Sequence, residues 1–168
     1  GLNELRMSNY RRILSLDSAM VVVQFDKDGV QYQRKYFISY PDSVMVMKFT
    51  ANQSGKQNLI LSYCPNSEAK SNLRADGKDG LVYTGVLDNN GMKFAFRIKA
   101  IHKGGTLEAE NDRLIVKGAD EVVFLLTADT DYKMNFNPDF KDPKTYVGND
   151  PEQTTRIMMD QAVQKGYD

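Results

Sequence analysis

Apolar and polar residues alternate with a period of two over much of this chain, the mark of strands with one buried and one wet face. The clearest run is Met92 to Ala100. There Met92, Phe94, Phe96, Ile98 and Ala100 share one face, and Lys93, Arg97 and Lys99 share the other. The spacing predicts a half-buried strand whose cations stand in solvent. Val30 to Tyr40 has the same character, with Val30, Tyr32, Tyr36 and Ile38 alternating with Gln31, Gln33 and Lys35. Two segments lack a polar face. Val44 to Ala51 sets Val44 and Val46 against Met45, Met47 and Phe49, and Val122 to Leu126 is apolar throughout. Such strands are expected to be covered on both sides.

Turn chemistry separates these runs. Met20 to Phe25 stops at Asp26-Lys27-Asp28-Gly29, a strong hairpin signal. Pro41-Asp42-Ser43, the Asn52 to Gln57 stretch around Gly55, and Asp88-Asn89-Asn90-Gly91 break the chain again. Leu59, Leu61 and Tyr63 make one further strand, and Leu81 to Gly85 another. Pro65 to Gly80 has the composition of a surface loop with room for one short strand. Gly104-Gly105 predicts a hairpin into Thr106 to Glu110, and Asn111-Asp112 a second into Arg113 to Lys117. About ten short strands joined this way indicate a mainly β, antiparallel two-sheet sandwich rather than a βαβ fold.

A single helix is expected at the C-terminal end. Asp150 is a good N-cap, Pro151 suits the first helical position, and Gln153 completes a capping-box pattern. Met158 with Ala162 and Met159 with Val163 form a short apolar stripe, and Gly166 is a natural stop. The organisation read from this is a β-sandwich domain over 1–129, a linker over 130–149 and a C-terminal helical segment over 150–168. The linker contains Pro138 and Pro143. Tyr132, Phe136, Phe140 and Tyr146 punctuate it, so it is expected to hug the surface.

Composition removes several function classes. The chain has 168 residues, enough for one large domain with a real core, and its 22 Lys and Arg balance 22 Asp and Glu. Without a basic excess, neither nucleic acid nor an anionic membrane surface is an expected partner. No apolar run is long enough for a membrane span. No secretory leader opens the chain, and the leading Gly1 leaves the parent's own start open. Cys64, the single cysteine, has no internal disulfide partner and reads as a buried, inert thiol.

The search for chemistry is short. His102 is the single histidine and has no ligand-spaced neighbour, so it reads as a surface residue rather than a metal ligand or general base. No phosphate loop or dinucleotide fingerprint occurs: Gly104-Gly105 and Gly118 are isolated turn residues. A serine nucleophile lacks its elbow sequence. Glycoside cleavage needs only two carboxylates across a cleft, but Asp129 and Asp131 lie two residues apart in one loop and read as turn chemistry. No catalytic residue, metal ligand or cofactor site is assigned. Among the nine tyrosines, Tyr32, Tyr36, Tyr40 and Tyr83 lie in or beside strands, and there is no tryptophan. Packing is favoured over a sugar-stacking platform.

The order of segments says more. Tyr10-Arg11-Arg12-Ile13-Leu14-Ser15-Leu16-Asp17 comes first, then Asp28-Gly29-Val30-Gln31-Tyr32 and Arg34-Lys35-Tyr36-Phe37-Ile38-Ser39-Tyr40-Pro41-Asp42-Ser43-Val44. Gly104-Gly105-Thr106, Gly118-Ala119-Asp120, Thr130-Asp131-Tyr132-Lys133 and Gly166-Tyr167-Asp168 follow. From Tyr10 to Asp168 this succession resembles the N-terminal β domain of glycoside hydrolase family 95, chiefly α-L-fucosidases with some α-L-galactosidases. Thr130 to Pro151 looks especially like members from gut-type Bacteroidetes.

The resemblance implies a super-sandwich packed against an (α/α)6 barrel that performs inverting exo-hydrolysis. The partners it implies are that barrel in the parent chain and, through it, a carbohydrate substrate; the location it implies is periplasmic or secreted. The family's catalytic acids lie in the barrel, and no position here matches them. Family members also open with a further segment, so the chain is expected to be a cut-out piece whose uncovered surface supports dimerisation. Asp131, Tyr132 and Lys133 are expected to face the barrel and brace its rim, against a plainer reading in which Lys133 pairs with Asp131 on a solvated turn. The alternative function is an independent carbohydrate-binding or adhesion module, which would need an exposed row of aromatics on one sheet face.

Overall fold

The computed structural model describes residues 7–63, 69–110, 112–134 and 147–167. In chain order these form β1 (Met7–Ser15), β2 (Met20–Lys27), β3 (Val30–Ser39), β4 (Val44–Ala51), β5 (Gln57–Ser62), β6 (Ala69–Ala75) and β7 (Gly80–Leu87). Then come β8 (Lys93–Lys103), β9 (Thr106–Ala109), β10 (Arg113–Ala119), β11 (Glu121–Thr130) and α1 (Pro151–Lys165). The first turns obey local rules. Lys27 pairs with Val30 across Asp28 and Gly29, which take φ of 53° and 74°. Two consecutive positive φ values are what a type I′ hairpin demands, and Asp-Gly supplies them.

The strands divide into an eight-stranded antiparallel sheet, ordered β1-β2-β3-β4-β11-β8-β7-β6, and a three-stranded one, ordered β5-β10-β9. The expected two-sheet sandwich with one helix is therefore present. β11 lies at the middle, between β4 and β8. Val122 and Phe124 face the small sheet, in a core with Leu81, Ile98, Leu114 and Val116. Val123 and Leu125 face the other way, in a second core with Val44, Val46 and, from the helix, Met159 and Ala162. The unbroken apolar run of β11 is thus explained by two apolar layers, and the same holds for β4, whose Met47 and Phe49 pack on the first core. Phe49 and Phe124 meet edge-on at 5.6 Å.

Three crossings between the sheets gather at one corner: β4 to β5, β8 to β9 and β10 to β11. Asp120 pins it. Its Oδ1 accepts the Gly55 N–H at 2.7 Å, and its own N–H donates to the Lys103 carbonyl at 2.8 Å. Gly118 N–H donates to Asn58 Oδ1 at 3.0 Å. At Gly105 (φ 64°), a Cβ would sit 2.2 Å from the Lys117 carbonyl oxygen, so only glycine fits where the chain changes layers.

The helix forms where the sequence signals it. Asp150 Oδ1 accepts the Glu152 N–H at 3.2 Å, Pro151 opens the first turn, and Gly166 N–H closes the last on the Ala162 carbonyl at 3.2 Å. Its buried line is Pro151, Thr155, Met159 and Ala162, spaced three and four residues apart, and it lies on β11 and β8. Thr127 donates its hydroxyl to the Thr155 carbonyl at 3.0 Å under the helix. At the far end Lys165 Nζ reaches the Asp42 carboxylate at 2.7 and 2.9 Å.

Three expectations are corrected. Arg97 lies on the face opposite Phe94, Phe96 and Ile98, as the alternation requires, but that face is not wet. α1 lies against β8, and Arg97 is 2 % exposed, ion-paired with Asp76. Its Nε and Nη2 have no hydrogen-bond partner among the described residues. Ile38 is 71 % exposed, because it ends β3 beyond the reach of the small sheet. Gly104-Gly105 opens no hairpin: β8 and β9 belong to different sheets, and β9 pairs with β10 instead. The one short strand allowed within the Pro65 to Gly80 stretch is present as β6, seven residues paired along their length with β7. β1 was not foreseen, since its Met7–Ser15 span is nearly all exposed and offers no buried face to alternate. Cys64, Phe136, Pro138, Phe140, Pro143 and Tyr146 lie outside the described residues.

Two measurements test this packing. Asp76→Ala leaves the Arg97 cation buried without a counter-charge, and is expected to cost about 3–5 kcal/mol by urea unfolding. Arg97→Met, which removes the charge and keeps the volume, should cost less; the reverse order would refute the buried-pair account. Stability should also fall in acid through Asp42. The hydrogen bond from Lys165, then that from Ser39, holds its carboxyl below the usual range. A carboxylate lowered in the folded state stabilises above its unfolded pKa, about 3.9, and loses that contribution as pH falls through the lower folded value. Lys165→Ala should therefore flatten the acid limb of the stability–pH profile.

Candidate functional site

The segment singled out by the sequence starts where β11 ends. Asp131 N–H donates to the Lys93 carbonyl at 3.0 Å, and Asp131 Oδ1 accepts the Lys93 N–H at 2.9 Å. This reciprocal pair extends the β11–β8 ladder by one step, with a side chain standing in for backbone. The Asp131 carbonyl accepts the Gly148 N–H at 2.6 Å, and Tyr132 bridges Val147, so the returning chain is tied down at the same point. A Cβ on Gly148 would lie 3.2 Å from that carbonyl oxygen and 3.3 Å from the Lys133 Cβ, which leaves little room for a larger residue.

The three residues are therefore adjacent but do different things. Asp131 is 7 % exposed and turned inward as a clamp. Tyr132 and Lys133 are exposed, and the Tyr132 hydroxyl donates to Met134 Sδ at 3.4 Å. No ion pair joins Lys133 to Asp131 among the described residues. Asp129 stands opposite Ala95 in the β11–β8 ladder, partly buried. Two carboxylates one pleat apart at the same strand end, one of them holding a backbone N–H, do not face each other across a cleft. Acid–base cleavage of a glycoside needs that separation.

Beside this clamp lies an open groove of about 430 Å³, lined by Lys70, Asn72, Thr84, Lys93, Asp150 and Glu152 among others. It runs between β6, β7 and β8 and the first turn of α1, and the Arg74–Glu152 pair at 2.5 Å flanks it. Both signs of charge are present, from Lys70 and Lys93 on the strands and Asp150 and Glu152 at the helix start, so the groove is able to hydrogen-bond a polar partner. Sequence reading missed it. Lys70, Asn72 and Glu152 lie far apart in the chain, and only the β6–β7–β8 order brings them together.

The remaining candidates are plainly structural. His102 is exposed at the end of β8, with Nδ1 2.8 Å from the Gly104 carbonyl. Among the described residues no group of three His, Cys, Asp or Glu is arranged to hold a metal ion. None of the described helices is long and apolar enough to cross a membrane. Tyr83 is buried, its ring 4.5 Å from Tyr63 and 5.3 Å from Phe94, while Tyr36 packs edge-on against Phe49 at 6.0 Å. Among the described residues the strongly exposed tyrosines are Tyr10 in β1, Tyr40 just after β3 and Tyr132 just after β11, on three separate stretches of chain.

Comparison with known proteins places this geometry. Residues 2–135 match the family described as Glycosyl hydrolase family 65, N-terminal domain. Over 171 aligned residues the chain is 27% identical to "Probable alpha-fucosidase A" of Aspergillus niger, covering 96% of this chain and 21% of that protein. It is 24% identical over 147 residues to "Alpha-L-fucosidase 2" of Arabidopsis thaliana, covering 74% of this chain and 17% of that protein. The chain thus spans about a fifth of the length of the curated relatives it matches. A solved structure named "Putative kojibiose phosphorylase from human microbiome" superposes with a TM-score of 0.62 at 10% identity, over 98% of this chain and 23% of that one. That last likeness is one of fold.

The clamp role of Asp131 has a measurable consequence. Asp131→Ala should remove the acceptor of the part-buried Lys93 N–H bond and lower stability by about 1 kcal/mol in denaturant unfolding. Tyr132→Ala and Lys133→Ala, at exposed positions, should stay within about 0.5 kcal/mol of the parent. Equal losses at all three positions would contradict the inward assignment of Asp131.

Proposed function

This chain belongs to the family of glycosyl hydrolase family 65 N-terminal domains, and from that premise we propose that it is the non-catalytic β domain of a larger glycoside hydrolase. The parent we propose is of the α-L-fucosidase kind and resembles family 95. In it, this domain braces a separate catalytic domain of the same polypeptide, with Tyr132 and Lys133 on the outward side of the clamp as contact residues. One observation carries the reading. Two proteins named as α-fucosidases align with most of this chain, while the chain amounts to only 21% and 17% of their lengths.

Chemistry supports the same division of labour. Inverting hydrolysis needs an acid and a base on opposite sides of the scissile bond with a water before the base. Among the described residues Asp129 and Asp131 share one strand end, and Asp131 already accepts a backbone hydrogen bond, while Glu152 at the groove is paired with Arg74 and Asp150 caps the helix. Rigidity suits a bracing role: the eight-stranded sheet is tied to its helix by side-chain bonds at both helix ends. The rival reading, a free-standing carbohydrate-binding module, needs a stacking row of exposed aromatics, and the exposed tyrosines are scattered.

The purified chain should release no aryl alcohol from an aryl α-L-fucoside above the uncatalysed rate, and L-fucose should give no saturable heat in titration calorimetry. Turnover abolished by Asp129→Asn or Asp131→Asn would overturn the non-catalytic assignment. Saturable heat without turnover would favour the binding module.

A further inference from the structure

The small sheet covers only part of the large one. On the face it leaves open, β1 to β4 form a groove of about 620 Å³. Val21, Val23 and Phe25 of β2, Tyr36 of β3 and Met45 of β4 make an apolar floor, and Met7 and Tyr10 of β1 rise at one side. The polar side chains that line it are two tyrosines, Tyr10 and Tyr36, and two arginines, Arg12 and Arg34; the cations are the two guanidiniums, and the lining holds no carboxylate. Register places both in one cross-strand row: Arg12 is opposite Val23, and Val23 is opposite Arg34. At ordinary strand spacing their backbones are about 10 Å apart with the Val23 side chain between them.

Neither arginine has an ion-pair partner among the described residues. Arg34 is held in place by aromatic faces instead, its guanidinium carbon 5.1 Å from the Phe25 centroid and 5.5 Å from that of Phe49. Two cations over an apolar floor, with no anion paired to either among the described residues, define the chemistry of a partner. We propose that this groove is a docking surface for a polypeptide segment that places a carboxylate between apolar side chains, with the carboxylate over Val23 and paired to both Arg12 and Arg34. This goes beyond the bracing role and stands on the groove alone.

Composition favours a protein partner. Methionine, aromatics and arginine are the residues enriched in protein interfaces, and lysine, aspartate, glutamate, serine and alanine are depleted there. The groove lining has the first set and none of the second. A second copy of the chain, seated on the same face, would bring its own Arg12 and Arg34 against these two, a like-charge arrangement that complementary interfaces avoid. Among the described residues no strand pairs with the outer edge of β1, so a segment running past the groove meets backbone groups of an edge strand there.

The test uses the purified chain and a random-peptide display library. Selected peptides should carry Asp or Glu flanked by apolar residues, and a synthetic copy should protect β1–β4 amides from hydrogen exchange. Arg12→Gln, at an exposed edge position, should fold normally and weaken that peptide about tenfold or more, as should replacing the peptide's acid by its amide. Arg34→Gln is the second variant, checked by circular dichroism because Arg34 also stacks on the core. Selection of peptides without carboxylates, no enrichment, protection elsewhere, or indifference to Arg12→Gln would each overturn the proposal. So would self-association that protects the same amides without peptide, which would assign the face to a second copy.

Discussion

An eight-stranded sheet has two faces to remove from water, and here a three-stranded sheet and a single helix are all that the described residues offer to cover them. That mismatch governs the rest. Where both layers overlap, over β4, β11 and β8, strands are apolar on both sides and the two cores form. Beyond the overlap, the same strand chemistry produces exposed residues such as Ile38 and the open face of β1 to β3. The helix is too narrow to cover its face with apolar groups alone. Its margins are finished by ion pairs: Arg74 with Glu152, Lys165 with Asp42, and Arg97 with Asp76 beside it. Glu121 closes the same face further along: its burial opposes ionisation, but the bond and charge of Lys48, with Lys103, keep its carboxyl below the usual range.

How much of this was legible in the sequence depends on whether a cause was local. The Asp28-Gly29 turn, the Asp150-Pro151 helix start, the Gly166 stop and the doubly buried β4 and β11 are fixed by neighbours in the chain, and all were readable. The assignments that went astray needed partners far away. Alternation placed Arg97 on the correct face, but whether that face is wet depends on a helix some fifty positions downstream, beyond any local window. Gly104-Gly105 has hairpin chemistry, yet its conformations serve a layer change dictated by the Lys117 and Asp120 neighbourhood. β1 gives no signal because an exposed edge strand has no buried face to write a period into the sequence.

The candidate site divides along the same line. Asp131, Tyr132 and Lys133 were picked as a group because they are consecutive and follow a central strand. A residue's neighbours in sequence do not fix its direction, and Asp131 turns inward to accept a backbone hydrogen bond while the next two point out. The mixed-charge groove at the helix start and the arginine-flanked groove over β2 are assembled from separate strands, and neither has a motif. Their residues become informative only once register sets Arg12, Val23 and Arg34 in one row. Where charges go unpaired among the described residues is itself a chemical signal.

The position of β11 has a bearing on how the molecule is made. β1 to β4 form a meander of sequential neighbours, and β6 to β8 another, so each is within easy reach of local closure. The strand that joins them is the last of the eleven, with Val46 of one meander and Ile98 of the other both facing residues of β11. Neither core can close until it arrives, and the helix that seals the second core comes later still. During synthesis from the N-terminal end, the apolar faces of both meanders must therefore wait for the strand that fuses them. Long-range closure of this kind is slow relative to hairpin formation. The interval before β11 emerges is the one in which the nascent chain is most exposed to misassociation, and any companion that shields β4 and β8 would act there.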